Sequence, residues 1–387
     1  MKILIGCEVF YPYLLGGGEI FAYNISRQLA KLGHEVHVIC PTRSFDRSNI
    51  SSPLSSMVDG VRVHRVSGEF RYRHGIQSLP YVLRMYHTAS DVIREFGIEI
   101  ANAQTFRPCL PLFAASKKRG IPCVGTIFDV YSTGKYYGLE NWISFYGSFG
   151  LLGWITEQSI LKLPFTHVIT NSNATKIKIA KYFPSTHIDV VKCGVDVQRY
   201  PASLPKKVPG MILYLGRLVP YKNLQDLIHA VGIVNQQRRD TTLVIAGSGP
   251  LASYVQRIAS SKNHISFHEK PSDSEKIKLL RAAQVLVLPS SEEGFGIVLL
   301  EANAAYTPIV CYDIPALREL VSSTGGGLTA EYRNVNDLAD KILMIIERKE
   351  LANHLALSGR RMVENDFSWP HAAHEVEMIY RKVISSS

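Results

Sequence analysis

The run EEGFGIVLLEA (292–302) directly follows the apolar stretch VLVLPS (285–290) and carries two carboxylates, Glu293 and Glu301, eight residues apart. A helix starting near Ile297 puts Glu293 in the preceding loop and Glu301 in the first helical turns. Both then lie toward the C-terminal edge of a sheet, where α/β folds bind ligands. Gly294 and Gly296 allow close backbone approach to a ligand, and a helix start offers free N–H groups to phosphate. Acids capping a helix start would need no ligand. That reading leaves unexplained the two glycines that flank Phe295. Two cations, Arg217 in a second apolar run, MILYLGRL (211–218), and Lys222 just beyond it, lie after a strand with a short turn between them. Arg suits bidentate contact with an anion and Lys acts as a point charge. Fixed cations of this kind stabilise negative charge developing on a leaving group. Glycines cluster at Gly16, Gly17 and Gly18, and in the GSG turn at Gly247 and Gly249. The triple glycine is either a ligand loop or a plain tight turn before a helix. A lone G-x-G is common and reads as structural or base-proximal.

Short β-rich runs alternating with helical patterns position these residues, which predicts parallel sheets with crossover helices. The first series is KILIGCEVF (2–10), EVHVIC (35–40), VRVHRV (61–66), IEIANA (98–103), IPCVGTIF (121–128), THVIT (166–170) and IDVV (188–191). The second is MILYLGRL, TTLVIAGSG (241–249), HISFH (264–268), VLVLPS and TPIVCY (307–312). Between them, RYPASLPKKVPG (199–210) has three prolines and almost no periodicity, and it reads as a linker. The expected architecture is two Rossmann-like, doubly wound α/β domains, 1–198 and 206–368, facing each other across a cleft. A C-terminal helix at about 370–387 is expected to pack back on the first domain.

These motifs together resemble the retaining glycosyltransferases of family 4, which have the GT-B fold. GRLVPYKN (216–223), IAGSGP (245–250), GGGE (16–19), CGVD (193–196) and the paired acids fall in the family's order along nearly the whole chain. The resemblance implies that Arg217 and Lys222 grip the diphosphate of a sugar nucleotide and that Glu301 binds its ribose hydroxyls. It places Glu293 near the transferred sugar, with Phe295 and Gly296 offering backbone contacts. Gly294, Ile297 and Gly247 complete the donor set. Gly16, Gly17 and Gly18 are expected to close over the diphosphate or the acceptor. No metal and no cofactor beyond the nucleotide-diphosphate sugar is expected, because Arg217, Lys222 and helix-terminus amides do what a cation would.

The chain departs from the family where a His-Asp pair usually ends a first-domain strand: GTIFDVY (125–131) has Phe128-Asp129. Asp129 is then the nearest polar group to orient the donor sugar or acceptor, and it joins Glu293, Arg217 and Lys222 as a candidate catalytic residue. The alternatives are an unusual acceptor or an impaired site, and for Asp129 itself a plain role as cap or bridge of the turn after its strand. Cys193 also stands where the family has Asn. HEKPS (268–272), expected near the base, departs as well, which leaves the nucleobase open.

A chain of 387 residues with 46% hydrophobic and 20% charged residues suits two globular domains. No run is apolar enough to span a membrane, and no secretory leader is recognisable at the N-terminus. The six scattered cysteines suggest free thiols in a reducing cytoplasm. Of the net charge of +10, the larger part lies in residues 1–200, which hold 22 Lys and Arg against 14 Asp and Glu. Arg62, Arg65, Arg71, Arg73 and Arg84 cluster there, as do Lys117, Lys118 and Arg119. The excess is either solvated surface or an attraction to an anionic membrane face or charged glycan. No nucleic-acid motif accompanies it. The aromatic, glycine-rich stretch 136–160 is either a partly buried helix or a wedge for a bilayer interface or lipid-linked acceptor. The expected partners are thus a nucleotide sugar and a glycan or lipid-linked acceptor. Alternatives are a sugar-nucleotide epimerase and a catalytically impaired sugar-nucleotide-binding protein.

Overall fold

The computed structural model describes residues 1–12, 16–42, 55–67, 79–104, 106–130, 143 and 150–386. Its contacts divide the chain into two units, Met1–Cys193 with Trp369–Ser387, and Gly194–Ser368. Residues 199–210, expected as a linker, are held on the second unit. Arg281 donates to the carbonyls of Pro201 (2.9 Å) and Ser203 (3.2 Å), and Lys207 Nζ to Thr307 Oγ1 (2.7 Å).

The first unit is a sheet of β1 (Lys2–Gly6), β2 (Glu35–Pro41), β3 (Ser55–Val58), β4 (Val61–Val66), β5 (Ile100–Gln104), β6 (Cys123–Thr126), β7 (His167–Thr170) and β8 (Ile188–Val190). The order is β3-β4-β2-β1-β5-β6-β7-β8, parallel except for the β3–β4 hairpin. Strands β1, β5, β6 and β7 are buried along their whole length or nearly so. That burial is why they read as continuous apolar runs rather than alternating ones. The C-terminal helix Trp369–Ser386 belongs to this unit: Phe21 meets Trp369 edge-on at 6.1 Å, and His34 Nε2 lies 3.1 Å from Glu377.

The second unit carries β9 (Met211–Leu215), β10 (Thr242–Gly247), β11 (Ile265–Glu269), β12 (Val285–Leu288), β13 (Ile309–Tyr312) and β14 (Gly327–Ala330). Its order is β11-β10-β9-β12-β13-β14, all parallel. Counted within the unit this is 3-2-1-4-5-6, the Rossmann order, whose direction reverses between its first and fourth strands. Here those strands are β9 and β12. The first unit reverses likewise between β1 and β5.

Two strands escaped the sequence reading, β3 and β14. The polar SSMV of β3 pairs through an Asp59-Gly60 turn with φ of 47° and 82°, the turn a two-residue hairpin favours. The GLTA of β14 has too little apolar bulk to stand out.

Candidate active site

At the reversal point of the second unit, the loops after β9 and β12 are tied together. Ser291 donates to the Tyr221 carbonyl through both its amide (2.9 Å) and its hydroxyl (3.1 Å). The Asn223 side-chain amide donates to the Pro289 carbonyl at 2.9 Å. Asn223 has φ of 48°, a conformation asparagine tolerates better than most residues. The 3-10 turn Pro220–Lys222 thereby faces the 289–296 loop.

This stitching brings three of the expected site residues together. Lys222, only 7% exposed, pairs through Nζ with Glu293 Oε1, and Ser290 Oγ donates to the same oxygen at 2.9 Å. Arg217 is exposed; it donates to the Tyr221 hydroxyl and sits 5.9 Å over that ring, while Lys222 Nζ lies 5.4 Å from it. The buried Tyr214 hydroxyl donates to the Arg217 carbonyl at 2.7 Å, fixing the backbone beneath the guanidinium. The result is a pair of cations with one carboxylate already engaged.

The helix Ile297–Ala304 begins where the sequence placed it, behind Gly296 in a left-handed conformation (φ 95°). This conformation is one that L side chains rarely adopt, and a Cβ there would also press on the Leu317 side chain at 2.9 Å, which favours glycine. Glu301 stands within this helix, partly buried. Among the described residues its carboxylate has neither a hydrogen bond nor an ion pair. Burial chiefly, with Asp273 adding, pushes its pKa up to about 6 against the pull of Lys276 and Arg199. Arg199 and Lys276 both bind Asp273, at 2.9 and 3.1 Å.

The GSG turn is explained within the fold. A Cβ on Gly247 (φ 151°) would fall 1.8 Å from the Gly216 carbonyl oxygen, and one on Gly249 would fall 2.5 Å from that of Leu218. The two loops exchange Gly216 N–H to Ala246 O (3.0 Å) and Leu218 N–H to Ser248 O (2.9 Å). Close chain approach therefore demands these glycines, and the same contacts set the position of Arg217.

In the first unit, Gly16 is the N-cap of the helix Gly17–Lys31, whose first turn carries Glu19. Gly16, Gly17 and Gly18 thus lead from β1 into a helix N-terminus, the geometry that suits an anion. Asp129 follows β6. Its Oδ1 accepts from its neighbour Val130 N–H (2.8 Å) and from Lys178 Nζ (3.3 Å), so its carboxylate already serves its own turn. Phe128 packs edge-on against Phe21 at 5.1 Å, extending the Phe21–Trp369 contact. The residue replacing the family histidine is thus held by an aromatic cluster.

Sequence reasoning missed Tyr214, Tyr221, Ser290, Ser291, Asn223 and the Arg199–Asp273–Lys276 group. Tyr221 and Asn223 flank Lys222, and the two serines follow β12 after Pro289, so adjacency to the motifs was the available signal. Nothing local marks Arg199 or Asp273. Three of the clustered arginines serve internal contacts: Arg62 lies over Phe96 (5.1 Å), Arg65 donates to the Tyr11 carbonyl and Arg84 to that of Ser67. Arg71, Arg73 and most of 136–149 lie outside the described residues. All six cysteines are free and buried.

The chain matches two family models, Glycosyltransferase Family 4 over residues 15–199 and Glycosyl transferases group 1 over 196–362. It is 28% identical to a glycogen synthase of Mycobacterium tuberculosis, covering 98% of this chain and 94% of that one. It is 23% identical to an N-acetyl-alpha-D-glucosaminyl L-malate synthase of Bacillus anthracis, covering 99% and 98%. In fold it is similar to sucrose-phosphate synthase from Thermosynechococcus elongatus, with a TM-score of 0.81 at 18% identity over all of both chains. HepE from Anabaena, solved with UDP and glucose, gives 0.75 at 17% identity over 99% and 100%. With these matches in chain order on two parallel α/β sheets, the protein belongs to the family 4 glycosyltransferases and has the GT-B fold.

Proposed function

We propose that this glycosyltransferase moves a hexose from a nucleoside-diphosphate sugar to a glycan or lipid-linked acceptor, with retention of configuration and without a catalytic metal. The observation that carries the reading is the junction of Arg217, Lys222 and Glu293 at the β9/β12 reversal, with the unpaired Glu301 on the following helix. Arg217 and Lys222 supply fixed positive charge for the departing diphosphate, whose negative charge grows as the bond to the anomeric carbon breaks. Glu293 then exchanges Lys222 for the transferred sugar. Glu301 accepts from the ribose hydroxyls, which satisfies its vacant carboxylate. That HepE was solved with UDP, with UDP and glucose and with UDP-glucose supports a donor of this class. Acceptor recognition is assigned to the first unit, through the Gly16–Gly18 helix start and Asp129.

A membrane-associated acceptor is favoured by one specific feature. The helix Gly150–Ile160 exposes Leu151, Leu152 and Ile155, at 45, 41 and 45%, and Lys117 and Lys118 are also exposed in the same unit. No described helix is long and apolar enough to cross a membrane. Such a face suits an interfacial contact at the inner side of a cell membrane.

The test is incubation with UDP-, GDP- and ADP-glucose without acceptor, following the released sugar by proton NMR. Slow release of the α-anomer from one donor is expected. First release of the β-anomer would refute retention, and conversion of the donor to another sugar nucleotide would indicate an epimerase.

A further inference from the structure

Among the described residues, one trio has donor atoms close enough to share a metal ion: His167, His187 and Asp189, with one ligand atom from each within 4.8 Å of the others. His167 opens β7, and Asp189 lies in β8 with His187 just before it. The strands pair in parallel, Val168 beside Ile188 and Ile169 beside Asp189. Residues two apart on a strand share a face, so the three side chains converge. They do so at the start of β7 and β8, whereas Gly16 and Asp129 follow the far ends of β1 and β6. The Asp189 carboxylate bridges the two rings, with Oδ2 2.9 Å from His167 Nε2 and Oδ1 3.2 Å from His187 Nε2. The ring centroids are 5.1 Å apart.

We infer that His167, His187 and Asp189 form a structural site for a divalent transition cation of the zinc class, separate from the donor-binding residues. The chemistry fits. Two imidazoles and a carboxylate are ordinary zinc ligands, at about 2.0–2.2 Å from the ion. Ligand atoms around a tetrahedral ion stand roughly 3.3 Å apart at those bond lengths; the two His–Asp contacts, at 2.9 and 3.2 Å, already match, and all three ligand atoms lie within 4.8 Å of one another. In the metal-free state His167 Nε2–H donates to Asp189 Oδ2, while His187 Nε2 only lies 3.2 Å from Oδ1; on binding, Nε2 of His167 takes the ion and its ring proton moves to Nδ1. The exposed His187 gives the ion an entry path and leaves a fourth position for water. Two groups of the helix Trp369–Ser386 act on the site: Lys382, which opposes a cation near His167, and Glu375, whose carboxylate interacts with that of Asp189. The bound ion would pin edge strand β8 to β7 and add to stability by mass action.

Chelator-stripped full-length protein is titrated with Zn2+ by calorimetry at neutral pH, and with Co2+ while following visible absorption. One equivalent of Zn2+ is expected to bind and raise the melting temperature, and Co2+ should give the intense bands of a tetrahedral ion. His187→Ala, at an exposed position, and Asp189→Asn should weaken binding at least ~10-fold with unchanged circular dichroism, while the control His354→Ala, in the second unit, binds as wild type does. Absence of saturable binding, or binding that persists in both His187→Ala and Asp189→Asn, would overturn the site.

Discussion

Glu293 and Glu301 share a motif but stand in opposite states. Glu293 is neutralised by Lys222 and held by Ser290, whereas Glu301 has no hydrogen bond or ion pair among the described residues and its pKa is pushed up by burial to about 6. Glu301→Ala should therefore weaken nucleotide binding, and Glu293→Gln should spare binding but lower turnover; calorimetry and initial rates separate the two effects. The pH dependence of Glu301 has a definite sign. Its folded-state pKa lies above the ordinary value of 4.5, so the folded state holds the proton more tightly. Stability falls as pH rises through the window from 4.5 to about 6, by roughly 2 kcal/mol in all. Glu301→Gln should be more stable than wild type at pH 8 by up to that amount, with the gap closing toward pH 4.5 in denaturant titrations. Arg217→Ala and Lys222→Ala should each cost about 2–4 kcal/mol of transition-state stabilisation in kcat/KM. Lys222→Ala should also lower stability, because it leaves Glu293 in a partly buried position without its counter-charge. The sequence alone singled these residues out as candidates, because their order along the chain is specific. It did not show that Lys222 and Glu293 pair, since that depends on two strands 70 residues apart lying side by side.

Elements carry these side chains, and most were legible as apolar runs. Every strand buried on both faces was found, whereas the polar β3 and the small-residue β14 were not. The Asp59-Gly60 turn was a readable hairpin signal for β3. The GSG turn was read as structural or base-proximal, and its geometry favours the structural role: a side chain at Gly247 collides with the carbonyl of Gly216. Gly247→Ala should destabilise the protein by more than about 3 kcal/mol, through strain and the lost loop contact. Nucleotide binding should be lost with it, measured by melting temperature with and without nucleotide. Asp129 is the harder case, since Val130 and Lys178 already occupy its Oδ1. Asp129→Asn keeps an acceptor for Val130 and should fold normally and bind nucleotide. If Asp129 orients the sugar or acceptor, transfer falls severely; full transfer would leave it a turn residue alone. Phe128→His should be tolerated, with the ring against Phe21.

For the molecule as a whole, the proposed function assigns the donor to the second unit and the acceptor to the charge and exposed apolar surface of the first. Leu152→Glu or Ile155→Glu should reduce sedimentation with vesicles containing anionic phosphatidylglycerol while leaving donor hydrolysis unchanged. Equal sedimentation would detach the exposed helix face from any membrane role. If Arg217 and Lys222 provide the positive charge as proposed, transfer should survive excess EDTA; loss restored by manganese would contradict that mechanism. The central claim is that the residues at the β9/β12 reversal hold a nucleoside-diphosphate sugar. Its most direct test is calorimetric titration of wild type and of Glu301→Ala and Arg217→Ala with UDP, GDP and ADP and their glucose conjugates. The account predicts that wild type binds one nucleotide series in one-to-one stoichiometry and that both variants bind it at least ~10-fold more weakly, a loss of about 1.4 kcal/mol or more. Binding of equal strength in all three proteins would contradict it.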